Sequence, residues 1–127
     1  MPVIKTNGSR AKAKSILCVE DDPDTCEILS IILREFRFDY SYTVAGALSK
    51  LQPPGHDLYI LDNWLPDGSG IALCREIRAL YPKVPIVFTS AIGRSKDIDE
   101  ALAAGANRYL LKPCEPDELQ RIVKELI

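Results

Sequence analysis

The sequence predicts an α/β domain, an open parallel β-sheet covered by helices on both faces, and three observations predict it. Apolar runs of strand length alternate five times with stretches whose apolar residues recur at helical spacing. Alternation on this scale implies crossover connections and a parallel sheet. Two of the runs, Ile16-Leu17-Cys18-Val19 and Leu58-Tyr59-Ile60-Leu61, are nearly continuous in apolar residues, as in strands covered on both sides. At 127 residues, 46% hydrophobic and 27% charged, the chain is one globular domain with room for a real core.

The elements follow in order. Ser15 to Val19 is the first strand and ends in Glu20-Asp21-Asp22; Pro23 suits the first position of a helix, with Asp22 as its cap. Ile28, Leu29, Ile31, Ile32, Leu33 and Phe36 fall mostly on one broad face of helix one at helical spacing. Phe38 to Thr43 alternates and is aromatic-rich, hence strand two; Val44 to Leu51 is a short helix stopped by Pro53-Pro54-Gly55. Strand three, Leu58 to Leu61, closes at Asp62 and is followed by the turn-rich Asn63-Trp64-Leu65-Pro66-Asp67-Gly68-Ser69-Gly70.

Helix three runs from Ile71 to Tyr81, entered through Ser69 and ended by Pro82, with Ile71, Leu73, Cys74, Ile77 and Leu80 as its inner stripe. Pro85 to Ser90 is strand four, Asp97 to Ala104 a small-residue helix stopped by Gly105, and Arg108 to Leu111 strand five. Lys112-Pro113 closes that strand. Pro116-Asp117-Glu118-Leu119 starts the last helix, whose stripe is Leu119, Ile122, Val123 and Leu126.

Parallel strands all point one way, so the residues ending strands one, three, four and five gather on one rim: Glu20 and Asp21, Asp62, Ser90, and Lys112. In open α/β sheets ligands collect at that edge. Asp is also a common turn former, and only the company it keeps makes Asp62 a candidate for chemistry. Clustered carboxylates repel, and a divalent cation holds them together; all-oxygen donors favour Mg²⁺ or Mn²⁺. A tetrahedral trianion fits between that cation, the Lys112 ammonium and the Ser90 hydroxyl. One carboxylate attacking phosphorus would give an acyl phosphate. The alternative is an ion-paired rim without chemistry.

Charge and composition exclude other classes. Lys5, Arg10, Lys12 and Lys14 make the first fifteen residues basic, while twelve basic side chains face eighteen acidic ones thereafter, a net −6. A nucleic-acid module is basic over its body, so direct nucleic-acid binding is not expected. Residues 1–14 read as a basic flexible leader, with a patch for anionic partners as the other reading. No run approaches a membrane span and the start lacks a signal peptide's apolar segment; membrane insertion is not expected and the location is cytoplasmic. Cys18, Cys26, Cys74 and Cys114 lack metal-site spacing and read as ordinary thiols, most of them semi-buried. His56, between Gly55 and Asp57, reads as a solvent-facing loop residue, and Asp67 as a turn or helix cap.

Ile16-Leu17-Cys18-Val19-Glu20-Asp21-Asp22-Pro23, the block Leu61 to Gly70, Ser90-Ala91, Ala104-Gly105-Ala106, Tyr109 and Lys112-Pro113 resemble, in order and spacing, the receiver domain of two-component response regulators. The resemblance covers residues 15 to 127. It implies a doubly wound, flavodoxin-like sheet of order 2-1-3-4-5 with five helices. It implies that Asp62 is the phosphoacceptor, Asp21 a direct metal ligand, Glu20 a partner acting through water, and the Trp64 backbone carbonyl a further ligand. Ser90 and Tyr109 would be the switch pair, Tyr109 turning inward as Ser90 moves; a half-buried strand tyrosine is the plainer reading. Lys112-Pro113 resembles the family's cis peptide.

Trp64 and Ile92 occupy positions that tune phosphoryl lifetime in the family; Trp64 packing on the leading loop is the alternative. Glu20 stands where Asp is commoner, and Ser90 where Thr also occurs. The partners implied are a sensor histidine kinase or histidine phosphotransfer protein and a downstream effector or output domain, read through the helix 4/strand 5/helix 5 face, which is also the homodimer surface. The receiver catalyses its own phosphorylation and dephosphorylation and is otherwise a signalling domain, stand-alone or part of a larger regulator or hybrid kinase. A haloacid-dehalogenase-type phosphatase is the rival, but its nucleophile would follow the first strand with a second Asp two residues on. A receiver-like scaffold that never takes phosphate would lack a rim residue.

Overall fold

The computed structural model of the chain describes residues 13–127. The expected leader, residues 1–14, lies outside the described residues except for Ala13 and Lys14.

Five strands form one parallel sheet: β1 Ser15–Val19, β2 Arg37–Ser41, β3 Leu58–Leu61, β4 Ile86–Ser90 and β5 Arg108–Leu111, in the spatial order β2-β1-β3-β4-β5. Five helices alternate with them: α1 Pro23–Ile32, α2 Val44–Leu48, α3 Gly70–Leu80, α4 Ser95–Ala103 and α5 Pro116–Leu126. This is the doubly wound order expected from the sequence. The near-continuous apolar strands have a physical reason in the two cores. β1 sends Leu17 and Val19 to one face with Tyr59, Leu61 and Phe88, under α2, α3 and α4. It sends Ile16 and Cys18 to the other with Leu58, Ile60 and Val87, under α1 and α5. A fully buried side chain of this size contributes about 1.5–3 kcal/mol, so neither face could be polar.

Local chemistry sets the helix starts. Thr43 Oγ1 accepts from Gly46 N at 3.0 Å and Ser69 Oγ from Ala72 N at 3.1 Å, each satisfying an otherwise unpaired helix amide. Asp22 occupies the cap position of α1, but its carboxylate accepts from the Thr25 hydroxyl at 2.6 Å. Asp67 does cap a helix, though not its own: its two oxygens accept from Val44 N and Ala45 N of α2 at 2.7 and 2.9 Å.

Several expectations are corrected. Ile28 and Ile31, expected on one broad face with Leu29 and Leu33, are each 56% exposed. The apolar residues of α1 span more than one face, and Cys26, Leu29 and Leu33 take the sheet side. Leu80, assigned to the inner stripe of helix three, is 57% exposed; the last turn of α3 is anchored instead by Arg78, whose guanidinium donates to the Tyr81 and Val84 carbonyls. His56 is half-buried, not solvent-facing: its ring meets Tyr59 edge-on and its Nε2 lies 3.7 Å from Asp39. Cys18, Cys26 and Cys74 are fully buried free thiols, and only Cys114 is half-buried. An antiparallel ribbon, Trp64–Leu65 against Gly68–Ser69, folds the loop after Asp62 back on itself.

Candidate functional site

The site is built from the carboxyl ends of four strands. Strand alternation places Glu20 on the same side as Ile16 and Cys18, Asp62 with Leu58 and Ile60, and Lys112 with Leu110, so these three side chains converge above the α1/α5 core. Backbone bonds hold the ends level: Asp62 N donates to the Val19 carbonyl, Glu20 N to Ser41 and Lys112 N to Ser90, at 2.9, 3.0 and 2.9 Å.

The Lys112 ammonium bridges two carboxylates, donating to Glu20 Oε1 and to Asp62 Oδ2, the latter at 3.1 Å. Glu20 is only 2% exposed, and its other oxygen accepts from Asp22 N at 3.1 Å. Burial pushes the Glu20 carboxyl above its usual range, opposed by the hydrogen bonds from Lys112 and Asp22 and reinforced by the Asp62 charge. For Lys112, burial works against the charged form, but the bond to Glu20 and the charges of Asp62 and Glu20 outweigh it and its pKa is raised. Asp62 is buried, with Oδ1 accepting from Trp64 N at 3.3 Å.

Glu20, exposed Asp21 and Asp62 can bring one oxygen each within 4.8 Å of one another. Three carboxylates against one lysine leave net negative charge at an all-oxygen donor set, which fits a hard divalent cation.

Ser90 is fully buried, and its Oγ accepts from Ile92 N at 3.2 Å. Tyr109 is half-buried, stacked on Phe88 with ring centroids 5.9 Å apart, and its hydroxyl donates to the Ile92 carbonyl at 2.6 Å. Ile92 is thus bonded to both members of the expected switch pair, donating its N–H to Ser90 and accepting at its carbonyl from Tyr109. The indole of Trp64 is 54% exposed, whereas Ile92 is half-buried. The Lys112–Pro113 peptide is cis, as is Pro53–Pro54. Asn63 carried no role of its own in the sequence beyond its place in the motif; it is buried, and its Oδ1 has no partner among the described residues. Its one signal was a second polar residue, behind Asp62, after an apolar strand. Gly70 was noted only as part of a motif, and its contact with Asp62 has no trace in local sequence.

Fold and rim together define a class: an α/β domain whose strand ends present an acidic, lysine-bridged cluster suited to cation and phosphoryl chemistry. Residues 16–124 match the family model of the response regulator receiver domain, and the chain belongs to that family. It is 35% identical over 114 residues to the transcriptional regulatory protein ZraR of Salmonella typhimurium, covering 88% of this chain and 26% of the relative. It is 41% identical over 106 residues to the DNA-binding response regulator MtrA of Mycolicibacterium smegmatis, covering 82% of this chain and 46% of that one. Among solved structures, a two-component response regulator from Clostridium difficile superposes with a TM-score of 0.85 at 33% identity, covering 89% of this chain and 94% of that one. The chain spans between about a quarter and a half of the length of the curated relatives it matches. Among the described residues no helix is long and apolar enough to cross a membrane.

Proposed function

We propose that residues 15–127 act as a receiver domain that accepts a phosphoryl group on Asp62 in a reaction requiring Mg²⁺ or Mn²⁺. The observation that carries this reading is the Lys112 ammonium held between Glu20 and Asp62 at the edge of the sheet. Asp62, Glu20, Asp21 and the Trp64 carbonyl would hold the cation, which supplies neutralisation of the carboxylates and of the incoming phosphoryl charge.

The chain's own residues do the rest. An Asp62 oxygen forms the new bond to phosphorus as the bond to the donor breaks; from a phosphohistidine, the imidazole nitrogen leaves. Lys112 already touches Asp62 Oδ2 and is placed to follow the charge onto a phosphoryl oxygen. The Ser90 hydroxyl accepts from Ile92 N and keeps its own proton to donate to another such oxygen, so a shift of Ser90 toward that oxygen pulls on the loop through this bond. The loop that then moves carries the carbonyl gripped by Tyr109, so the rim is coupled to β5 and through it to α4 and α5. That face passes the signal to an effector or output domain, or to a second copy.

The donor is a sensor histidine kinase or a histidine phosphotransfer protein in the cytoplasm. A groove of about 360 Å³ beside Lys112, lined by Thr25, Ile28, Thr89 and Pro113 among others, together with exposed Ile28 and Ile31, suits the approach of a partner's apolar helix. The test is labelling with acetyl phosphate. Wild type is expected to form an acid-stable, hydroxylamine-labile adduct only with divalent cation present, and Asp62→Asn none. Labelling of Asp62→Asn at the wild-type level sinks the assignment.

A further inference from the structure

We infer that Gly70, the first residue of α3, is a positioning residue for the phosphoacceptor strand end, holding Asp62 and the Trp64 carbonyl in cation-binding register. The inference rests on the receiver reading above. Gly70 N donates to the Asn63 carbonyl at 2.9 Å, closing the loop that the Trp64–Leu65/Gly68–Ser69 ribbon folds back. A β-carbon at position 70 would lie 3.0 Å from the Asp62 carbonyl carbon and 3.0 Å from Asn63 Cα, and would overlap the Asp62 carbonyl oxygen.

Every one of those neighbours is backbone, and none can rotate away as a side chain would. Even alanine at 70 therefore forces α3 and the Asp62-Asn63 peptide apart. The residues displaced are the proposed phosphoacceptor and, two positions on, the proposed carbonyl ligand. No left-handed backbone is involved: the described glycines with positive φ are Gly55 and Gly105. The requirement at 70 is close approach of two main chains. The contrast lies at Gly68, where a β-carbon would meet the Val44 side chain at 3.3 Å, a neighbour able to give.

Trp64 is the single tryptophan of the chain and reports on the loop without a label. Mg²⁺ is titrated by its fluorescence with no phosphodonor present, then labelling by acetyl phosphate is timed, both under conditions where urea curves show each variant folded. Gly70→Ala is expected to raise the Mg²⁺ midpoint and to slow labelling by roughly tenfold or more, within the roughly hundredfold that a misplacement of about 1 Å can cost. Ala79→Gly, which weakens the same helix at its exposed far end, is expected to stay within about twofold of wild type on both readouts.

A folded Gly70→Ala that binds Mg²⁺ and labels within about twofold of wild type overturns the inference. If Gly70→Ala does not fold, Ser69→Ala takes its place: it removes the cap on Ala72 N and loosens the first turn of α3 without adding an atom. A midpoint raised about threefold supports the inference, and an unchanged one overturns it. Wild type that never labels at Asp62 sinks the receiver reading instead, so the two failures are distinct.

Discussion

The two ends of the sheet use polar groups in opposite ways. At the amino end, Arg78 donates to the carbonyls of Tyr81, Val84 and Gly105 and to Asn107 Oδ1, at 3.1, 2.7, 2.6 and 3.3 Å. Asn107 Oδ1 in turn accepts from Ile86 N, and Asp57 accepts from Ser15 N. One cation there satisfies several neutral oxygen acceptors. At the carboxyl end a single lysine faces three carboxylates, and a buried glutamate is held above its usual pKa. The amino end is satisfied by the chain's own groups, whereas the carboxyl end carries an excess of carboxylates over ammonium that a cation would neutralise. Substitutions at the first should change stability alone, and at the second should change stability in a ligand-dependent way.

The largest expected effect breaks this contrast if it fails. Arg78→Ala leaves several half-buried carbonyls unpaired and is expected to cost about 3 kcal/mol of unfolding free energy, with the same deficit with and without Mg²⁺ and normal labelling per folded molecule. Lys112→Ala removes the one ammonium that, among the described residues, is bonded to the rim cluster. It is expected to keep some labelling and to gain more stability from Mg²⁺ than wild type does, because the cation now does all of the neutralising. The amide shifts around Tyr109 that beryllofluoride induces in wild type should be lost. Paired urea curves and shift maps check both variants; an Mg²⁺-sensitive Arg78→Ala would erase the distinction between the ends.

A smaller effect is read in pH. An acid whose folded pKa is raised binds its proton more readily folded than unfolded, so its ionisation lowers stability at neutral pH, and that loss fades as pH falls through the folded pKa. Glu20 is such a group. Asp39, beside Lys50 and His56, has a lowered pKa: burial raises it, but the Lys50 and Tyr40 hydrogen bonds and the charges of Lys50 and His56 prevail. Its contribution is present above its unfolded pKa and lost as pH falls through the folded one. In metal-free buffer Glu20→Gln is therefore expected to be more stable than wild type at pH 7, with the gap closing on acidification. A gap that widens in acid contradicts the burial account.

The smallest effect concerns phosphoryl lifetime. Ile92 is half-buried beside the site and offers no side-chain group to orient a water, whereas the Trp64 indole is largely in solvent. Ile92→Glu is expected to speed decay of the acyl phosphate a few-fold, about 1 kcal/mol of barrier, and Trp64→Asn by less. Decay rates at equal Mg²⁺ decide; unchanged rates in both remove these positions from control of hydrolysis.

Much of this molecule was legible in its sequence because the relevant physics is local or periodic. Buried parallel strands must be apolar throughout, so Ile16 to Val19 and Leu58 to Leu61 declared themselves, and a common strand direction put Glu20, Asp62, Ser90 and Lys112 on one edge. Ser69 and Pro116 marked helix starts through groups within one turn of them. Tertiary structure alone decided which apolar residues stay in water, since Ile28, Ile31 and Leu80 obey helical spacing as well as their buried neighbours do. It alone paired Lys112 with Glu20 across 92 residues, set Asp67 on a helix other than its own, drew His56 partly out of solvent and pressed Gly70 against the Asp62 carbonyl. Each of these depends on the position of a segment distant in the chain, and a periodic pattern carries the direction of a face but not what comes to rest against it.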